Sequence, residues 1–157
     1  MKPIIRKAEK SDMPAVLELI KELAAFEKEP EAVIITEEDL KHDGFGENPS
    51  FLCFVAEMDG GVHGMALIYF RYSTWKGKTI HLEDLVVREA YRKKGLGKAL
   101  FERVIQYAGE QGVRRTEWVV LDWNKNAIEF YKRSGATILT DWYLAQMDEA
   151  AIKDYLT

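Results

Sequence analysis

Met13, Val16, Leu17, Ile20, Leu23 and Ala24 recur at steps of three and four through SDMPAVLELIKELAAFE, which is the period of one helical face. Cap residues open that segment, and Pro14 falls in its first turn, where a missing N–H costs little. Thr36 can cap a second, shorter helix through TEEDLKHD, which Gly44 and Gly46 end. From Phe51 the pattern becomes that of strands: FLCFVAEM, the turn residues DGG and HGMALIYFRY predict a hairpin, and KTIHLEDLVV predicts a further strand. GLGKALFERVIQYAGEQG returns to the helical period, with Leu96, Leu100, Val104, Tyr107 and Ala108 on one face and Gly112 as its stop.

TEWVVLD then reads as a short strand, NAIEFYKRSG as a short helix ended by Gly135, ATILTDWYLAQM as a last strand and DEAAIKDYL as a closing helix. With PIIRKA as the first strand, the order is βααβββαβαβ. That order predicts an α/β fold: a mixed central sheet, antiparallel in its N-terminal part and flanked by helices. No repeat, low-complexity tract or linker interrupts it, so residues 1–157 are expected to form a single domain.

Composition narrows the setting. The chain is 47% hydrophobic and 31% charged, which is globular and not disordered. The apolar run from Met65 to Phe70 is far shorter than a bilayer span, and MKPIIRKAEK lacks the apolar stretch of a signal peptide. A soluble cytoplasmic protein without membrane partners is expected. Cys53 is the only cysteine, so no internal disulfide framework exists, and a buried strand position is expected for it. With 22 Lys and Arg against 26 Asp and Glu, the net charge of −4 argues against a general nucleic-acid binder and favours a cationic small molecule.

Against that acidic balance, RKKGLGK places Arg92, Lys93, Lys94 and Lys98 around Gly95 and Gly97, between the strand HLEDLVV and a helix. Glycines at a strand-to-helix turn let backbone N–H groups converge on an anion, and the helix dipole adds positive potential. A Walker A loop is excluded, since Gly97-Lys98 is followed by Ala99 and Arg92 stands where the first glycine is required. A dinucleotide-binding fingerprint is excluded because Leu100 occupies the place of its third small residue.

The remaining pattern, R-x-x-G-x-G from Arg92 to Gly97, resembles the pyrophosphate-binding loop of the GCN5-related N-acetyltransferases. YSTWKGKTIHLEDLVV, VLDWN, FYKRSGA, IKELAAFE and DGFGENP are similar, in the right order, to the spermidine/spermine (diamine) acetyltransferase branch of that family. The resemblance covers nearly the whole chain and implies the acetyltransferase fold, acetyl-CoA as cofactor, a small-molecule amine as substrate, direct transfer in a ternary complex and a homodimer joined through ATILTDWYLAQM. It also implies that Arg92, Lys93, Lys94, Gly95, Leu96, Gly97 and Lys98 hold phosphates, that Leu85, Val86 and Val87 pair with pantetheine amides where the strand splays from its neighbour, and that Asn124 and Ala127 contact the cofactor.

Amide formation from a thioester needs a neutral amine, yet an alkyl ammonium has a pKa of about 10.4, so a proton must be removed. The resemblance makes Glu83 the acceptor, directly or through water; attraction of the substrate cation is the other reading. Asp84 is expected to be structural or a substrate-cation contact, and strand alternation puts these adjacent carboxylates on opposite faces. Tyr131 matches the family tyrosine that protonates the leaving thiolate, with core packing as the alternative, and N-capping is the alternative for Asn124. Among the residues facing substrate, Glu27, Trp75 and, more weakly, Trp142 match the branch. Ser73 and Thr74 replace an aspartate and proline of the polyamine-specific members and resemble the thialysine Nε-acetyltransferase-like ones. A thialysine or similar lysine analogue is therefore expected over spermidine or spermine. His42, His63 and His81 lack metal-ligand spacing, no metal is expected, and all are read as structural or surface residues.

Overall fold

In the computed structural model, which describes residues 2–157, strands β1 (Ile4–Lys7), β2 (Leu52–Met58), β3 (Gly61–Ser73) and β4 (Gly77–Val87) lie side by side in chain order and antiparallel. The short β5 (Thr116–Glu117) joins β4 in parallel and completes a five-stranded mixed sheet. Helices α1 (Met13–Phe26), α2 (Glu37–Phe45) and α3 (Leu96–Gln111) accompany the sheet in a unit that runs to Val119. A second unit, Val120–Thr157, contains α4 (Lys125–Arg133) and α5 (Glu149–Leu156).

The periodic apolar residues of α1 build one side of the core. Met13, Val16 and Leu19 are wholly buried and, with Leu40 of α2, pack on Cys53, Val55, Met65, Leu67 and Val86 of the sheet. Strand alternation sends the intervening residues to the other face. There Phe54 meets Tyr107 of α3 edge-on at 5.7 Å, and Leu100 and Val104 of α3 are fully buried. Cys53 is buried as expected, and burial pushes its thiol up to about 12, so it is an inert packing residue.

Local chemistry fixes the helix starts. Thr36 accepts from the Asp39 N–H at 3.2 Å while Asp39 accepts from the Thr36 N–H at 2.8 Å, a reciprocal cap on α2. Gly44 lies inside the last turn of that helix and Gly46 caps it. Ahead of α1, Arg6 of β1 grips Asp12 through contacts of 2.7 and 3.0 Å and reaches Glu57 of β2 at 2.9 Å, tying helix start and sheet together.

Two expected strands are not formed as written. TEWVVLD contributes only Thr116 and Glu117, paired with Ile80 and His81 of β4. Just beyond that pairing β4 carries a bulge, with Leu82 opposite Ile68 and Asp84 opposite Leu67, so Glu83 is an extra residue. A bulge bends its strand and raises local twist, so β5 does not follow β4 further. Trp118 instead meets Phe101 of α3 edge-on at 5.5 Å. ATILTDWYLAQM forms no strand. A ladder needs a neighbour for its N–H and C=O groups, and among the described residues no strand pairs with this segment.

Candidate active site

The bulge decides the geometry of the carboxylates. His81 and Glu83 share the α1 face with Tyr69, whose hydroxyl donates to Glu83 Oε2 at 3.0 Å, and His81 Nε2 lies 3.4 Å from the same oxygen. The extra residue shifts the alternation by one, so Asp84 pairs across from Leu67, a member of the α1-side core, and faces the same way. The expectation that Glu83 and Asp84 point to opposite faces is therefore corrected. Two adjacent polar residues inside HLEDLVV were the available signal, since they break the alternation at this point.

One face thus gathers Glu83, Asp84 and, from the C-terminal end of α1, Glu27. Glu83 is held below the usual carboxylate range, chiefly by the His81 contact, which outweighs the opposing effect of burial, and then by the Tyr69 hydroxyl. Asp84 goes the other way: burial first, then the charges of Glu83 and Glu27, lift it to about 6. Burial also raises Glu27. Neighbouring carboxyl groups with opposite shifts can divide binding and proton transfer between them.

Beyond Leu82 only one edge of β4 is paired. Leu85, Val86 and Val87 face Ala66, Met65 and Gly64 of β3, and among the described residues their other edge has no strand partner. The strand leads through the 3-10 turn Glu89–Tyr91 into the glycine loop. Arg92 turns back to donate from Nε to the Val87 carbonyl at 3.3 Å, while Lys93 and Gly95 adopt left-handed φ values of 63° and 87°. The ladder of α3 opens with the Ala99 N–H on the Gly95 carbonyl, 3.0 Å, so the N–H groups of Leu96, Gly97 and Lys98 precede it. Left-handed turns followed by unladdered N–H groups make a cradle fitted to an anion. Lys94 Nζ stands 4.5 Å from the Tyr91 ring, which stacks on His63 at 3.6 Å, and Lys98 pairs loosely with Glu102 at 3.7 Å.

The β3–β4 turn stands apart. Ser73 Oγ accepts from the N–H groups of Trp75 and Lys76, each at 3.1 Å, and Thr74 and Trp75 are exposed at the tip. From there to Glu83 is six residues of strand, roughly 20 Å, so these residues and the carboxylates are not brought together within the chain.

In the second unit, Asn124 Oδ1 accepts from the Ala127 N–H at 3.4 Å and caps α4. Tyr131, on that helix, is buried, and burial raises its hydroxyl above the usual tyrosine range, so it stays protonated at neutral pH. Trp142 is exposed. Among the described residues no cluster of His, Cys, Asp and Glu is placed to hold a metal, and no helix is long and apolar enough to cross a membrane.

The sheet thus leaves the main-chain edge of β4 open directly beside a glycine-rich helix start fitted to an anion. Residues 13–136 match the acetyltransferase (GNAT) family, and the chain belongs to it as an N-acetyltransferase. It is 40% identical to the thialysine N-epsilon-acetyltransferase of Bos taurus, over 96% of this chain and 95% of that protein. It is 37% identical to the spermidine/spermine N(1)-acetyltransferase-like protein 1 of Homo sapiens, over 96% of this chain but 23% of that one. An integron cassette protein of V. cholerae has the same fold, with a TM-score of 0.81 at 22% identity over 99% of this chain and 98% of its own.

Proposed function

We propose that this acetyltransferase transfers the acetyl group of acetyl-CoA to the Nε amine of thialysine or a closely similar lysine analogue, in a ternary complex. The observation that carries the reading is the bulge, which sets Glu83 and Asp84 on one face beside Glu27 at the strand whose other edge is open. The identity to thialysine acetyltransferases along nearly the whole length supports that substrate. A lysine-sized molecule is shorter than the distance from the carboxylates to the turn at Ser73, Thr74 and Trp75, so that turn is left to the far end of a longer or extended substrate.

In this reading Glu83, ionised and held by its donors, draws in the ammonium, and Asp84, lifted to about 6, takes its proton near neutral pH. This moves the base from Glu83 to its neighbour. Acetyl-CoA supplies the activated acetyl group as a thioester. Arg92, Lys93, Lys94 and the N–H groups from Gly95 to Lys98 hold its phosphates, and the open edge of Leu85, Val86 and Val87 holds its pantetheine amides. Asn124 and Ala127, through the start of α4, serve cofactor binding, and Tyr131 supplies the proton that the departing thiolate needs. The whole chain acts as one catalytic domain, as a homodimer in the cytoplasm.

The test is thiol release from acetyl-CoA with thialysine, lysine, spermidine, spermine, putrescine and a histone-tail peptide. Thialysine should give the highest kcat/KM. Spermidine ahead of it by tenfold or about that would make the chain a polyamine enzyme, and acetyl-CoA binding without any turnover would make it a sensor.

A further inference from the structure

His81 is a buried imidazole that the proposed reaction does not use, and its surroundings allow only one neutral tautomer. Arg71 Nη1 lies 2.9 Å from His81 Nδ1. A guanidinium only donates, so Nδ1 must accept and the ring proton must sit on Nε2. Nε2 is the atom 3.4 Å from Glu83 Oε2. Arg71 is itself fixed by Glu117 of β5 at 3.2 Å, the last residue of β5 to pair with β4. The Tyr69 ring lies against His81 with centroids 5.1 Å apart while its hydroxyl holds Glu83 from the other direction. A chain of contacts therefore runs from Glu117 through Arg71 and His81 to Glu83. We infer that His81, held in one tautomer by Arg71, is a positioning residue for Glu83: its Nε2–H aims that carboxylate at the amine site.

The charged and titratable groups facing this imidazole and its carboxylate are Tyr69 and Arg71 from β3, Asp84 from β4, Glu117 and the neighbouring Arg115 at β5, and Glu27 from α1. A ring proton on Nδ1 would point at the Arg71 guanidinium, so the geometry leaves Nε2 as the ring's donor. At 3.4 Å the contact with Glu83 is longer than an ordinary N–H···O hydrogen bond, and contacts that are long in the free enzyme often tighten in the substrate complex. Nothing about the residue type alone pointed here, since the contact depends on register between β3, β4 and β5.

Steady-state kinetics on the full chain, with thialysine as the probe amine, tests the inference. His81→Phe should raise the amine KM about tenfold and leave the acetyl-CoA KM and the acid limb of kcat/KM, set by Asp84, unchanged. His81→Gln keeps a side-chain N–H within reach and should bring the amine KM back to within about threefold of the unsubstituted chain. The two substitutions behaving alike overturns the inference: if both are harmless His81 is packing, and if both are equally harmful it accepts a proton. Should His81→Phe fail to fold, imidazole 15N shifts of the unsubstituted chain at neutral pH decide the matter, and a proton on Nδ1 overturns it. The inference rests on the amine-acetylation reading, but the two fail separately. Loss of that reading shows as no turnover with any amine, whereas the tautomer is measured without turnover.

Discussion

Asp84 is one residue from Glu83, yet the two carboxyl groups are pushed in opposite directions. The raised value of Asp84 has a consequence for stability as well as for rate. A carboxyl that is more easily protonated in the folded chain than in the unfolded one binds extra protons between its ordinary value of 3.8 and about 6. Its contribution to stability is complete below that window and is lost as pH rises through it. Asp84→Asn should therefore raise Tm by a few degrees at pH 7–8 and give no gain near pH 4, which thermal melts at both pH values would show. The same substitution should lower kcat at neutral pH by about a hundredfold or more. A faster or unchanged enzyme would return the proton-transfer role to Glu83. The native residue is thus expected to lower stability in exchange for chemistry, a known feature of active sites.

Elements were legible where the signal is local. The three- and four-residue spacing that marks α1 is the face that packs on Cys53 and Leu67, and Thr36 caps α2 as its sequence requires. The glycine loop was legible for the same reason, since Gly95 at φ 87° and the start of α3 are consecutive in the chain. The early end of β5 was not, because it is a relation of register between strands with no local period, and the bulge at Glu83 left only the paired polar residues of HLEDLVV as its trace. The grip of Arg6 on Asp12 and Glu57 belongs to this class too: it joins β1 and the nearby start of α1 to β2 through Glu57, 51 residues away in sequence. Asp12 is held below the usual carboxylate range, first by the hydrogen bonds from Arg6, and its side chain is only 11% exposed. Arg6→Met should cost about 1.5–3 kcal/mol in urea unfolding at neutral pH. A lowered carboxyl stabilises above its unfolded value and loses that contribution as pH falls through its folded one. The gap between Arg6→Met and the unsubstituted chain should accordingly narrow below pH 3.8, and a gap constant with pH would assign the loss to packing of the arginine stem.

At the scale of the molecule, the segment ATILTDWYLAQM has strand composition without strand structure. Leu139, Trp142, Tyr143, Leu144 and Met147 are 65%, 69%, 99%, 70% and 55% exposed, an apolar stretch of a kind that soluble chains seldom leave open to water. Among the described residues its backbone also joins no strand ladder, so a strand edge can form there with a neighbour. The proposed homodimer would supply one. Trp142 and Leu144 are two residues apart and would share one face of a strand formed there. In sedimentation velocity over a range of concentrations, the unsubstituted chain should run as a dimer. Replacing these residues together, Trp142→Asp with Leu144→Asp, should give a monomer, because buried unpaired charges and a lost apolar contact remove the drive to associate. If the doubly substituted chain remains dimeric, copies of the chain meet through another surface. If the unsubstituted chain is monomeric at every concentration, the exposed segment serves some other partner and the proposed assembly is wrong.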